Sequence, residues 1–83
     1  MITSAQCRAA RGLLGWNQQT LADQAGVGMM TVHQLERDGS QPRRATQDVV
    51  RRALEAAGVE FIDENGGGAG VRLRKPLNAS KSK

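Results

Sequence analysis

The sequence predicts a mainly α-helical domain that ends in a β-hairpin. Apolar residues recur at helical intervals as far as Ala57, glycines and capping residues divide that stretch into four segments, and the apolar period changes to two after Val59. The chain has 83 residues, of which 39% are hydrophobic and 2% aromatic. A chain of this size and composition builds one small aliphatic core, so two large domains with a cleft between them are excluded.

The first helix is predicted over Ser4 to Leu14. Thr3 and Gln6 have the spacing of a capping box, and the apolar residues that begin at Cys7 recur at helical intervals. Glycine follows the last of them, which is typical of a helix end.

Two short helices joined by a glycine turn come next. Asn17 is a good N-cap and Gly26 a good C-terminal residue for a second helix of about two turns. Gly28 then serves as the N-cap of a third helix, which we expect to run from Met29 to about Asp38. The glycine permits a sharp reversal between the two helices, so the pair forms a helix-turn-helix whose shared core is expected to contain Leu21, Val32 and Leu35.

A fourth helix and a hairpin complete the predicted fold. An apolar stripe predicts the helix from Arg44 or Thr46 to Ala57, and alternation after Val59 predicts two strands separated by a glycine-rich tip. That tip lacks the context of a phosphate-binding loop, so we interpret it as a plain turn. The expected organisation is a helical domain over residues 1–58, a hairpin over 59–75 and a disordered basic tail over 76–83.

The hairpin carries apolar residues on both faces, and a lone two-stranded hairpin is marginally stable in water. One face can cover the helices, and a twin hairpin across a two-fold axis can cover the other. The sequence therefore predicts a homodimer whose interface contains Val59, Phe61, Ile62, Val71 and Leu73. The alternative is a hairpin that folds only onto its own helices, with dimerisation through the fourth helix or only when two copies bind a common ligand.

The net charge and the numbers of cysteine and histidine residues limit the classes of function that the chain can have. Twelve Lys and Arg against eight Asp and Glu give a net charge of +4, and most of the basic residues are Arg, which favours a polyanion partner. The single cysteine excludes a disulfide framework, and the single histidine predicts no metal site. No carboxylate pair suggests acid-base catalysis, so we expect neither an enzyme nor a cofactor. No apolar run or signal pattern indicates a membrane.

Three segments resemble the phage-repressor and Cro type of helix-turn-helix, also called the xenobiotic-response-element family. They are NQQTLA at 17–22, AGV at 25–27 and TVHQLER at 31–37. The resemblance covers roughly residues 4–57 and implies a lambda-repressor-like bundle of four or five helices. It also implies that the third helix enters the DNA major groove while the second lies across the backbone.

On this reading, the side of the third helix opposite Val32 and Leu35 is free to meet base edges. The base-reading candidates are Met29, Met30, His33 and Gln34. Gln34 can bond adenine bidentately, whereas the methionines lack a comparable donor and suit thymine methyl groups. The alternatives are core packing or a partner surface for the methionines and simple exposure for His33.

The resemblance also implies residues that contact phosphate, and these are Asn17, Gln18, Gln19, Thr31, Arg37, Arg43 and Arg44. Gln18 stands where a helix N-terminus and its dipole attract an anion. Arg43 and Arg44 follow the loop after the third helix, and their alternative role is a solvated helix start. Arg11 and Glu36 match a partly buried structural ion pair of the family.

The sequence thus predicts a transcriptional regulator that binds an inverted repeat of double-stranded DNA as a homodimer. We expect it to be cytoplasmic and nucleoid-associated, and of bacterial or phage origin. The alternative is an antitoxin-like or adaptor protein that binds a second polypeptide and regulates its own promoter.

Overall fold

A computed structural model describes residues 2–75. Its elements are α1 (Ser4–Leu14), α2 (Gln18–Ala25), α3 (Met29–Leu35), α4 (Arg44–Ala56), β1 (Val59–Ile62) and β2 (Gly70–Leu73). The predicted fold class, a helical bundle with a C-terminal hairpin, is confirmed. The tail predicted over residues 76–83 lies outside the described residues. No helix within residues 2–75 is long and apolar enough to cross a membrane.

Local signals explain where α1 and α2 begin and end. Thr3 and Gln6 form the reciprocal capping box, with N···O distances of 2.9 and 3.0 Å. Asn17 caps α2, because its Oδ1 accepts from the backbone N–H of Thr20 at 2.8 Å. Gly15 and Gly26 end the two helices in the left-handed conformation, at φ of 69° and 72°, where a side chain would be strained.

The third helix is shorter than predicted, since α3 ends at Leu35 rather than near Asp38. In the turn that follows, the N–H of Arg37 bonds the carbonyl of Gln34 and the N–H of Ser40 bonds the carbonyl of Arg37, each three residues back rather than four. The carbonyl of Glu36 accepts from the Arg8 guanidinium, which holds this turn against α1. Arg37 therefore lies in the turn after α3 rather than on it.

The hairpin packs against its own helices through one face. Val59 pairs with Leu73, and Phe61 pairs with Val71, so these four apolar side chains share a face. Val59 has no exposed surface and belongs to the same buried cluster as Leu21, Leu35 and Leu54, while the other three are half-buried against it. The predicted dimer interface needs a correction here, because Val59 is buried by its own chain and is not accessible to a second one.

The opposite face of the hairpin points to solvent. Ile62 is 40% exposed there, and Arg72 Nε bonds Glu60 Oε1 at 2.7 Å across the two strands. The hairpin therefore has one apolar face and one largely polar face, whereas the alternation in the sequence suggested apolar residues on both.

Candidate nucleic-acid interface

The outward side of α3 carries the four residues predicted to read bases. Met29 is 44% exposed and Met30 63% exposed, and His33 and Gln34 are exposed as well. The amide of Gln34 has no hydrogen-bond partner among residues 2–75. None of the four is covered by another part of the described chain, so this side of the helix is open to a ligand.

The inward side of the same helix holds it in place. Val32 and Leu35 are buried with Leu21 of α2, which fixes α3 against the helix that precedes it. The turn between them is closed by the backbone N–H of Val27, which bonds the Ala22 carbonyl at 3.0 Å. The period of 3.6 residues thus separates a packing side from an open side within seven residues.

A groove of about 600 Å³ runs beside the end of α3 and the start of α4. The residues that line it include Thr31, Gln34, Arg37 and Arg43. Thr46 also lines it, although no pattern in the sequence pointed to this residue. Both arginines are exposed, and Arg44 is the exposed first residue of α4 next to them. The groove therefore joins the base-reading side of α3 to guanidinium groups that suit phosphate oxygens.

Three other predicted phosphate contacts lie at the start of α2, where their side chains already have partners. Asn17 Oδ1 accepts from both the backbone and the hydroxyl of Thr20. Gln18 Nε2 donates to Glu36 Oε1 at 2.9 Å, and Gln19 Nε2 donates to Asp23 Oδ1 at the same distance. These amides position α2, and the groups at this helix end that remain to meet an anion are backbone N–H groups.

Glu36 is the centre of a buried polar cluster that joins α1, α2 and the end of α3. Arg11 binds it through two atoms, with Nε at 2.6 Å from Oε2 and Nη2 at 2.8 Å from Oε1. Gln18 and the thiol of Cys7 also donate to this carboxylate, at 2.9 and 3.2 Å. The Glu36 side chain is 3% exposed, so the cluster holds a carboxylate out of water and satisfies both of its oxygens.

The cluster changes the acidity of its members in opposite directions. Burial by itself would raise the pKa of Glu36, but the hydrogen bonds from Arg11, Gln18 and Cys7 lower it below its ordinary value of 4.5. Burial raises the pKa of the Cys7 thiol far above its usual range, and the bond to Glu36 adds to that effect. The carboxylate is therefore ionised and the thiol protonated around neutral pH, which excludes Cys7 as a reactive thiolate.

Arg8 and Asp38, which were not among the predicted site residues, also help to position the interface. Arg8 reaches from α1 to the carbonyl of Glu36 and to Asp38 Oδ1, the latter at 3.3 Å. Hydrogen bonds from Ser4 and Arg8 lower the pKa of Asp38. Arg8 and Arg11 lie three residues apart, a spacing that puts both on one side of α1, but nothing in the sequence pairs Arg8 with a carbonyl at the end of α3.

One comparison with known proteins gives a match, and it identifies the family. A family model described as Helix-turn-helix matches residues 8–63, from the first turns of α1 to the residue after β1. The match covers more than half of the chain and includes all of α2, α3 and α4. A search of curated proteins found no match.

Proposed function

We propose that this chain, which belongs to the phage-repressor and Cro type of helix-turn-helix DNA-binding family, acts as a homodimer on an inverted-repeat operator. Its membership in the family makes it a DNA-binding regulator of transcription. What we add is the arrangement on DNA: α3 of each protomer enters the major groove, and the two helices lie about 34 Å apart on successive turns of the duplex.

The observation that carries this proposal is the division of α3 into two sides. Val32 and Leu35 are buried, whereas Met30 is 63% exposed and the Gln34 amide is exposed and unbonded within residues 2–75. A side chain without a partner in the free protein can bond a base edge without first breaking an internal contact. Gln34 matches the N6 and N7 groups of adenine, and His33 lies beside it.

Phosphate contacts would flank this base-reading side. Arg37 and Arg43 line the groove at the end of α3, Thr31 lies at its edge, and Arg44 follows at the start of α4. At the other flank lie the N-cap Asn17 and the first two residues of α2, Gln18 and Gln19, where backbone N–H groups can meet a phosphate. Contacts on both sides of α3 would fix its register in the groove without reading sequence.

The dimer would form through the outer face and the open edges of the hairpin. The described sheet has two strands, so within residues 2–75 each strand has one edge with unpaired backbone groups. Ile62 is the exposed apolar residue of that outer face, and the half-buried Phe61, Val71 and Leu73 lie beneath it. A twin hairpin across a two-fold axis would pair an edge and cover Ile62.

A salt titration with two variants tests the DNA arrangement. Binding of the selected operator should weaken with salt, with a log-log slope of about −0.9 for each phosphate neutralised. Gln34→Ala should abolish the preference for operator over random DNA, while Arg43→Ala should weaken both complexes alike. An unchanged preference in Gln34→Ala would mean that this side of α3 does not read bases.

Sedimentation of an Ile62→Glu variant tests the dimer. The substitution adds a charge to the outer hairpin face without touching the buried one, so we expect a monomer with lower operator affinity. Leu13→Glu is the matched control, because Leu13 is an apolar residue of similar exposure, 37%, that belongs to α1 and not to the hairpin. A wild-type chain that sediments as a monomer at tens of micromolar (~50 μM) would refute the hairpin interface.

A further inference from the structure

The most exposed large apolar side chains in residues 2–75 lie at the first two positions of α3. Met30 is 63% exposed and Met29 44%, whereas Leu13, Val49 and Ile62 are at most 40% exposed on other elements. Long apolar side chains placed in water at the tip of a DNA-reading helix indicate a contact that buries them in the complex. Core packing is excluded by their exposure.

The chemistry of methionine limits what this contact can be. A thioether has no donor and is only a weak acceptor, so it cannot recognise the polar edge of a base as an amide does. The apolar group that a base presents in the major groove is the methyl at C5 of thymine. A cytosine methylated at C5 presents the same group at the same place.

The position of Met30 relative to Gln34 sets where the methyl group should be. The two residues are four apart, so they lie one turn from each other on the open side of α3, with Cβ atoms about 6 Å apart. Base pairs rise by about 3.4 Å. The methyl group contacted by Met30 should therefore lie one or two base pairs from the base that Gln34 bonds.

Gly28, the N-cap of α3, puts no side chain beside the two methionines, and the nearest atom to a Cβ built there is Thr31 Oγ1 at 3.9 Å. Met29 and Met30 are therefore the exposed apolar groups at this end of α3. Their side chains suit a methyl group better than the polar edge of a base.

We propose that Met30, supported by Met29, reads the C5-methyl groups of pyrimidines in the major groove, so that the operator is recognised by methylation at C5 rather than by base identity at that position. The inference rests on the proposed function and specifies what that site binds. Thymine and 5-methylcytosine are then equivalent to Met30, and uracil and cytosine are equally poor.

The test replaces single thymines of the selected operator by deoxyuridine, which removes the methyl group and keeps the base pair. At the position read by Met30 the full chain should bind about fourfold more weakly, the effect of one buried methyl group at about 0.8 kcal/mol. Cytosine at the same position should bind as weakly as uracil, and 5-methylcytosine should restore the affinity. The ratio between thymine and uracil should not change with salt, because no ion is released by a methyl contact.

Three variants identify the residue that contacts the methyl group. Met30→Ala should bind thymine and uracil operators equally, whereas Met30→Leu, which keeps an apolar side chain, should retain the preference. Gln34→Ala should lose the preference for its own base but keep the thymine-to-uracil ratio. Leu13→Ala is the matched control, since it truncates an exposed apolar residue on α1 and should change neither.

The outcomes separate this inference from the proposed function. Equal binding of thymine and uracil at every position of the half-site would overturn methyl reading and leave operator binding intact. A ratio that survives in Met30→Ala would assign the methyl contact to another residue and overturn the role of Met30. A chain that selects no operator from a random DNA pool would overturn the proposed function, and the inference with it.

Discussion

The helix-turn-helix and the hairpin are attached to the same core by different kinds of interaction. Around Glu36, a buried carboxylate receives four hydrogen bonds from Arg11, Gln18 and Cys7, which come from two other segments of the chain. The hairpin is held mainly by its apolar face, in which Val59 is fully buried, and by Gln6 Nε2, which donates to the carbonyls of Ile62 and Gly70 at 3.3 and 2.9 Å. Two arginines add contacts with α4 in which no buried carboxylate takes part: Arg51 lies 5.0 Å from the centre of the Phe61 ring, and Arg74 donates to the Glu55 carbonyl at 2.8 Å.

These two attachments show which part of the molecule requires a defined geometry. A buried ionised group is stable only when its partners stand in the right positions, so the Glu36 cluster ties the orientation of α2 and α3 to that of α1. Apolar burial is less directional, so the hairpin can cover the core without strict placement of its strands. The strict arrangement lies behind the candidate DNA interface, and the permissive one lies away from it.

The largest effect should come from Arg11→Ala, which leaves Glu36 buried and ionised without its main partner. We expect the free energy of unfolding to fall by about 3 kcal/mol, as for the loss of one member of a buried ion pair. Urea unfolding of the variant measures it. Arg52→Ala is the matched control, because Arg52 is an exposed arginine of α4, and equal losses in the two variants would contradict a special role for Arg11.

Acid should remove the contribution of the Glu36 cluster to stability, because it protonates the Glu36 carboxylate. The folded pKa of Glu36 is lower than the unfolded one, so its contribution is fully present above the ordinary value of 4.5 and is lost as the pH falls through the folded pKa. Between about pH 7 and about pH 3, Glu36→Gln should lose less stability than the wild-type chain does. Equal losses in both proteins, measured by urea unfolding at each pH, would assign the acid sensitivity to other carboxylates.

Truncation of Val59, the fully buried residue of the hairpin, should have the next largest effect on the free energy of unfolding. Val59→Ala removes two methyl groups from a fully buried site, which should lower the free energy of unfolding by about 2 kcal/mol. Val49→Ala provides the control, because Val49 is 37% exposed on α4. The difference between the two midpoints of urea unfolding reports the burial of Val59, and no difference would place the hairpin away from the core.

Gln6→Ala should have a smaller effect that is concentrated in the hairpin. It leaves the carbonyls of Ile62 and Gly70 without their side-chain donor, at a cost of about 1 kcal/mol, and it also removes half of the capping box. Thr3→Ala removes only a cap. Amide hydrogen exchange of β1 and β2 should therefore accelerate more in Gln6→Ala than in Thr3→Ala, and equal acceleration would limit Gln6 to capping.

The smallest effect is expected on the outer hairpin face. Arg72→Ala breaks the exposed pair with Glu60, and pairs in water contribute little because solvent screens them. The hydrogen bond from Arg72 lowers the pKa of Glu60, so this pKa should rise in the variant. Nuclear magnetic resonance titration measures that rise, and unfolding should show no measurable change in stability. A large loss of stability would mean that the pair is part of the core attachment.

The candidate site was predictable from the sequence in part. The open side of α3 followed from the period of a helix, and the exposure of Met30 and Gln34 agrees with it. The engagement of Gln18 with Glu36 and the contact of Arg8 with the end of α3 were not predictable, because each joins residues 18 to 28 positions apart. Such contacts depend on the docking of helices, which local patterns do not contain.

Local patterns predicted the bounds of α1 and α2 and a hairpin after Val59, because capping oxygens, left-handed glycines and the change of apolar period act within a few residues. The packing of the whole chain set which face of the hairpin is buried and which polar side chains are already bonded. Caps and periods are satisfied within one turn, whereas a buried carboxylate or an apolar face finds its partners among residues far away in the chain.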